Sequence, residues 1–236
     1  MSLLDVRGLS MRFGGVIALR DLDVHQNAGE TLGMIGPNGS GKTTFVNIIT
    51  GHLAPNAGEV RFDGAPLLGR KPFQVAGAGL TRTYQAVRVF RELSARENVA
   101  TALLDAPRPL APDAVADTAA WLGLTDRLDA NAGSLTLYEQ RRLELLMRLV
   151  QQPKLMMLDE PVGGLSSAEV RAMIALLAEL KARCTIFVIE HTMKVIRELA
   201  DRVVVLLAGE KLADGAPSAI LSDARVVEKY LGSVDA

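Results

Sequence analysis

Cysteine is nearly absent from this chain of 236 residues: Cys184 stands alone, which excludes an internal disulfide framework and fits a reducing compartment. It sits in the apolar run Cys-Thr-Ile-Phe-Val-Ile, where a small buried residue is expected rather than a reactive thiol. An excess of one charge sign is missing too. With 26 basic and 27 acidic residues the formal net charge is -1, so the overall electrostatics favour neither nucleic acid nor an anionic membrane surface. Long hydrophobic runs are also lacking. Although 49% of the residues are hydrophobic, charges or glycines interrupt each apolar stretch well before the ~18 residues of a membrane-spanning helix. The N-terminus carries no basic segment followed by an apolar run. A soluble or peripheral protein is expected, with any membrane attachment made through a protein partner. No internal repeat or low-complexity tract is present.

What is there fits one compact domain with room for a small insertion. Leu3 to Val6 reads as a strand, Gly14-Gly15 as a turn, and Thr31 to Ile35 as a buried strand feeding a glycine loop at Gly36. Lys42 to Thr50 has helical character and stops at Gly51. A hairpin-like piece from Gly58 to Gly64 and a strand from Leu80 to Tyr84 follow. The texture then changes. Ser94 and Glu97 form a capping box, Pro107, Pro109 and Pro112 break the chain, and Ala114 to Leu122 is helical, which reads as an inserted helical subdomain. Alternation resumes with strands at Leu155 to Leu158, Thr185 to Ile189 and Val203 to Leu207, a helix capped by Ser166 and Glu169, and another after His191. Such alternation builds a parallel sheet with helices on both faces. The tail from Asp223 to Leu231 is expected to form one amphipathic helix.

Two stretches carry chemistry. Gly36-Pro37-Asn38-Gly39-Ser40-Gly41-Lys42-Thr43 satisfies the eight-residue phosphate-loop pattern between a strand and a helix, and Thr44 follows it. The glycines let consecutive backbone N–H groups turn inward around phosphate oxygens. Lys42 is expected to reach the β- and γ-phosphates and Thr43 to offer its hydroxyl to Mg²⁺, with the helix dipole favouring the anion. Downstream, the apolar run Leu155 to Leu158 ends in Asp159 and Glu160. Two adjacent acids are commonly a solvated turn. Behind a phosphate loop they fit a metal-side carboxylate, Asp159, and a base polarising the attacking water, Glu160.

The spacing of loop, glutamine, signature-like segment, carboxylates and histidine resembles that of ABC transporter ATPases along essentially the whole chain. The resemblance implies an α/β fold: a phosphate-loop (RecA-like) core with a parallel sheet, an N-terminal antiparallel β subdomain and an inserted helical subdomain. The divisions expected are 1–86, 87–150 and 151–236, the middle one holding the signature. It also implies that Phe13 stacks on adenine and that Gln85 touches Mg²⁺ and the water and couples the site to the helical subdomain. His191 is implied to contact the γ-phosphate. ATP and Mg²⁺ are the implied substrate and metal. Implied partners are transporter membrane subunits and a second ATP-binding subunit, identical or not, at the cytoplasmic face of the plasma membrane. The runs Phe13-Gly14-Gly15, Arg82-Thr83-Tyr84-Gln85, Glu190-His191-Thr192-Met193 and Val227-Glu228-Lys229-Tyr230-Leu231-Gly232 resemble the branched-chain amino acid importer ATPases. These serve a solute-binding protein through the membrane subunits.

The sequence departs from the family at its signature, normally leucine, serine, glycine, glycine, glutamine, whose serine hydroxyl and second-glycine N–H meet the γ-phosphate held by the opposite subunit. Here the segment is Leu135-Thr136-Leu137-Tyr138-Glu139, with bulk where backbone should approach phosphate closely. Met147 stands in place of a usual arginine and Ser166 in place of a usual aspartate or asparagine. Two readings stay open: the composite site completed by Thr136 and Tyr138 is slow or non-hydrolytic, or this branch tolerates a looser signature. Lipopolysaccharide-export ATPases and non-transport ABC switch ATPases share much of the pattern. A phosphate-loop kinase or GTPase would leave the signature-like segment unexplained, and no guanine-specific Asn-Lys-x-Asp-like stretch is present.

Overall fold

The computed structural model describes residues 2–104, 106 and 108–229; Pro107 and the Tyr230-Leu231-Gly232 ending lie outside them. Its first half runs β1 (Ser2–Phe13), β2 (Val16–Asn27), β3 (Thr31–Ile35), α1 (Lys42–Ile49), β4 (Ala57–Phe62), β5 (Ala65–Pro66), α2 (Pro72–Gly77), β6 (Leu80–Arg82), α3 (Ala95–Leu104) and α4 (Pro112–Trp121). The second half runs α5 (Leu137–Leu149), β7 (Leu155–Asp159), α6 (Ser167–Leu180), β8 (Thr185–Ile189), α7 (Met193–Leu199), β9 (Arg202–Leu207), β10 (Glu210–Gly215), α8 (Pro217–Ser222) and α9 (Ala224–Lys229).

Two sheets result, an antiparallel one in the order β2-β1-β4-β5 and a second in the order β10-β9-β3-β8-β7-β6. In the second, β9, β3, β8, β7 and β6 pair in parallel. β3, β7, β8 and β9 are apolar at nearly every position because both faces are covered. The period of two decides which face each residue meets. Met156, Leu158, Ile186, Val188, Val203 and Val205 join a core built with α5, α6 and α7. Their neighbours Leu155, Met157, Phe187, Ile189, Val204 and Leu206 join a second core with α1 and the antiparallel sheet. There Phe45 of α1 stacks on Phe187 with ring centroids 5.6 Å apart.

The expected parallel sheet has one exception. β10 runs antiparallel to β9, because Ala208 and Gly209 both adopt positive φ, 50° and 83°, and so make the two-residue turn that returns the chain alongside itself. That turn is stitched to its surroundings by backbone alone: Gly209 N–H donates to Ser40 O at 3.0 Å, and Arg20 N–H donates to Gly209 O at 2.9 Å. The expected C-terminal helix begins one residue later than Asp223 and is preceded by a separate short helix, α8. Asp223 is extended between the two, and its carboxylate accepts Arg225 N–H at 2.9 Å, an N-terminal cap that separates the helices. The strand expected to reach Tyr84 ends at Arg82. The Ser94–Glu97 box opens α3 as expected. Ser166–Glu169 opens α6 in the same way. Cys184 is partly buried, and desolvation pushes its thiol up to about 12, the reverse of activation.

Parallel pairing has one geometric result that matters for chemistry. Met34 of β3 sits level with Ile189 of β8, which is level with Asp159 of β7. The loops leaving β3, β6, β7 and β8 therefore emerge along one edge of the sheet, the carboxyl edge where ligands bind in open α/β folds.

Candidate active site

At that edge the phosphate loop wraps from β3 into α1. Its glycines are fixed by close backbone approach behind the loop. A Cβ on Gly36 would lie 2.1 Å from Leu206 O, and one on Gly41, at φ +106°, would lie 2.5 Å from Ala18 O. No side chain fits either position. Ser40 N–H is used within the loop, donating to Pro37 O at 3.1 Å, and Phe45 N–H returns to Gly41 O at 2.9 Å. Among the described residues, the N–H groups of Gly39, Gly41, Lys42, Thr43 and Thr44 donate to no protein acceptor. Donors converging at a helix N-terminus form an anion cradle. Lys42 Nζ curls back onto Gly36 O at 2.6 Å and Pro37 O at 3.0 Å. Desolvation lowers its pKa below the ordinary lysine value, with Glu160 and Asp159 opposing. Asn38, Gly39 and Thr43 are exposed on the loop, while Gly36 and Ser40 are buried.

The carboxylates differ sharply in environment. Asp159 is pulled inward to Arg82, Nη2 to Oδ2 3.0 Å, with side chains 15% and 8% exposed. Burial raises the Asp159 carboxyl above its ordinary value, while Arg82 opposes the rise. Arg82 is itself held by Asn47 Oδ1 at 2.7 Å and reaches Thr50 Oγ1 at 3.4 Å. Glu160 lies at φ +48°, a left-handed conformation uncommon outside glycine. Its N–H donates to Ile189 O at 2.9 Å, and its carbonyl accepts Gly163 N–H at 3.1 Å. The tight turn aims its carboxylate outward, where Gln85 Nε2 donates to Oε2 at 2.8 Å. His191 Nδ1 lies 3.5 Å from Oε1. Gln85, Glu160 and His191, distant in sequence, thus meet in one cluster, Gln85 by a hydrogen bond and His191 within ion-pair distance of the Glu160 carboxylate.

The remaining candidates lie elsewhere. Phe13 ends β1 with its ring half exposed, outside the core rather than in it. Leu135 is buried, and Thr136 caps α5: its hydroxyl accepts Glu139 N–H at 3.2 Å while the Glu139 carboxylate accepts Thr136 N–H at 2.8 Å. Arg127 Nε holds the same carboxylate at 2.8 Å. Tyr138 lies under Arg142, whose Cζ is 4.4 Å from the ring centroid. Among the described residues, no hydrogen bond from Thr136 or Glu139 reaches the phosphate loop.

Three residues near the site carried no role in the sequence reading. Arg82, in the short strand Leu80-Thr81-Arg82, pairs with Asp159 of the neighbouring strand. Arg141 is buried and donates to Gly163 O. Glu190, fully buried, accepts the N–H groups of His191 and Thr192 at 3.2 and 3.3 Å, with desolvation raising its pKa.

Comparison with known proteins agrees with this arrangement. The family model described as ABC transporter matches residues 19–163. The chain is 37% identical to the high-affinity branched-chain amino acid transport ATP-binding protein BraF of Pseudomonas aeruginosa, over 98% of both chains. It is 38% identical to LivG of Escherichia coli K12, which bears the same description, again over 98% of each. Among solved structures, the ADP conformation of an ATP-binding cassette of an ABC transporter superposes with a TM-score of 0.87 at 28% identity, covering 98% of this chain and 99% of that one. A nucleotide-free cassette from an ABC transporter does so with a TM-score of 0.87 at 26% identity and the same coverage. With more than half its length inside the family model and near-complete alignment to these relatives, the chain belongs to the ABC transporter family.

Proposed function

We propose that this chain is the ATP-hydrolysing subunit of an ABC importer for branched-chain amino acids or related amides. The observation that carries the hydrolytic reading is the convergence on one sheet edge of an open N–H cradle with Lys42 and the Gln85–Glu160–His191 cluster. The solute class rests on the relatives' names.

In this reading the N–H groups from Gly39 to Thr44 hold the phosphate oxygens, and Lys42 leaves its carbonyl partners for the β- and γ-phosphates. Phe13 offers its exposed ring to the adenine. Thr43 and Asp159, with Gln85 beside them, would hold Mg²⁺. Their hydroxyl and carboxylate oxygens are donors of the kind Mg²⁺ takes, with nucleotide phosphate oxygens and water completing the shell. Bound Mg²⁺ would neutralise charge on the transferring phosphoryl group. Glu160 accepts the proton of the attacking water, Gln85 and His191 orient that water, and His191 also contacts the γ-phosphate. Gln85 relays the nucleotide state toward the 87–150 helical region, and the division of the chain into 1–86, 87–150 and 151–236 follows that relay.

Among the described residues no helix is long and apolar enough to cross a membrane. The relatives' description as transport ATP-binding proteins supports membrane subunits, a second ATP-binding subunit and, through them, a solute-binding protein as partners, with the chain peripheral at the cytoplasmic face. Affinity capture of the chain from detergent-solubilised membranes tests this. Membrane subunits should co-purify, and the captured complex should hydrolyse ATP in a manner that Glu160→Gln suppresses. Recovery of soluble partners alone would sink the transporter assignment, and turnover indifferent to Glu160→Gln would sink the assigned base.

A further inference from the structure

The turn that aims Glu160 is left-handed and short, and its far end is held from outside. Arg141, on the buried face of α5 and 6% exposed, donates through Nη2 to Gly163 O at 2.6 Å and reaches Gln85 O at 3.4 Å. Gly163 N–H in turn donates to Glu160 O. A single guanidinium thus touches the backbone of both segments whose side chains meet at the Glu160 carboxylate. One turn further along α5, Glu144 accepts Arg88 N–H at 3.3 Å, so the helix grips the chain beyond Gln85 a second time. Burial lowers the Arg141 pKa below the ordinary arginine value, with Glu144, Glu190 and Glu160 opposing that only in part. A desolvated cation kept between two loops, with Nε unpartnered, is costly as simple packing and is better explained by the two carbonyls it holds.

We infer that Arg141 is a positioning residue for Glu160: by bracing Gly163 and Gln85 from α5, it fixes the carboxylate against the attacking water and ties that geometry to the position of α5. The inference rests on Glu160 being the base. Because α5 begins at the Thr136–Glu139 cap, a displacement of that helix end would reach Glu160 through Arg141 rather than through the phosphate loop. Nucleotide binding and water activation are then separable, and Arg141 acts on the second alone.

The test compares Arg141→Met, Arg141→Lys and Glu160→Gln in the complex captured through the full chain. The readouts are kcat, KM, affinity for a fluorescent ATP analogue, and hydrogen exchange over residues 160–163. Arg141→Met should lower kcat by about 10- to 100-fold, as expected for a misplaced reacting group, while KM and analogue affinity stay within about 3-fold. Exchange over 160–163 should rise. Lysine reaches one carbonyl with one point charge, so Arg141→Lys should fall between, about 3- to 10-fold below wild type. A folded Met variant with wild-type kcat overturns the inference, as does parallel loss of kcat and affinity. Should the Met variant not fold, wild-type kcat and exchange in Arg141→Lys overturn it equally. If Glu160→Gln leaves turnover intact, the base assignment fails first; if Glu160→Gln is silent and the Arg141 variants are normal, only the bracing role fails.

Discussion

Replacing Arg82 by methionine isolates the electrostatic problem at Asp159. The substitution keeps a long apolar side chain in place of the guanidinium but removes the one salt-bridge partner this carboxylate has among the described residues, along with the bonds to Asn47 and Thr50. Breaking one half of a buried pair costs about 3–5 kcal/mol. The lower end applies here because Asp159 keeps 15% side-chain exposure. At roughly 2–4 °C per kcal/mol for a chain of this size, a loss of about 3 kcal/mol lowers Tm by about 6–12 °C. The pH dependence has a definite sign. Desolvation already raises Asp159 against the opposition of Arg82, so the variant raises it further. A carboxyl with a folded pKa above its unfolded value binds more protons when folded, so its contribution is fully present at low pH and lost as pH rises through the folded pKa. The deficit of Arg82→Met should therefore be largest above the folded pKa of Asp159 and shrink as pH falls below it. Thermal and urea unfolding without nucleotide or divalent ions measure it. A Tm within about 2 °C of wild type at high pH, or a deficit that grows on acidification, would refute the reasoning.

Two further outcomes follow from other parts of the molecule. With Tyr138 stacked under Arg142 and Glu139 closing the start of α5, the chain alone should hydrolyse ATP slowly, and Tyr138→Gly should raise turnover at least about tenfold by reopening a donor. Glu160-dependent turnover by the unmodified chain alone as fast as that of Tyr138→Gly would contradict this. Glu144, almost fully buried, is pushed up to about 7 by desolvation. Its folded pKa exceeds its unfolded value, so its contribution falls as pH rises from 4.5 through 7. Glu144→Gln should flatten that slope and gain roughly 2–3 kcal/mol above it; an unchanged slope in chemical denaturation would rule the effect out.

The strands β3, β7 and β8 were legible because burial on both faces makes them unbroken apolar runs, and the caps of α3 and α6 because a capping box is a four-residue code. The return strand β10 was not. Glu210 to Gly215 has no apolar run, and only the conformations of Ala208 and Gly209 turn the chain back. The phosphate loop, Asp159 and Glu160 could be read from spacing alone. What sequence could not supply was the set of partnerships between distant segments. Arg82 differs from any surface arginine only once β6 and β7 are paired, and Arg141 sits beside Arg142 in the chain yet bonds Gly163 O while Arg142 bonds Leu122 O. Neither contact leaves a local pattern, since each depends on parallel strands bringing loops together.

The turn at Ala208-Gly209 bears on how tightly a nucleotide is held. Gly209 N–H donates to Ser40 O and Gly209 O accepts Arg20 N–H, so the folded β9–β10 turn ties the phosphate loop to β2. Its conformational freedom is surrendered during folding, not at the moment of binding. Binding free energy need not be diverted to ordering the loop. The same preorganisation serves a nucleotide before and after its γ-phosphate is lost, so the backbone cradle by itself discriminates poorly between substrate and product. In the proposed assignment, telling them apart falls to Gln85, Glu160 and His191, which stand outside that backbone cradle.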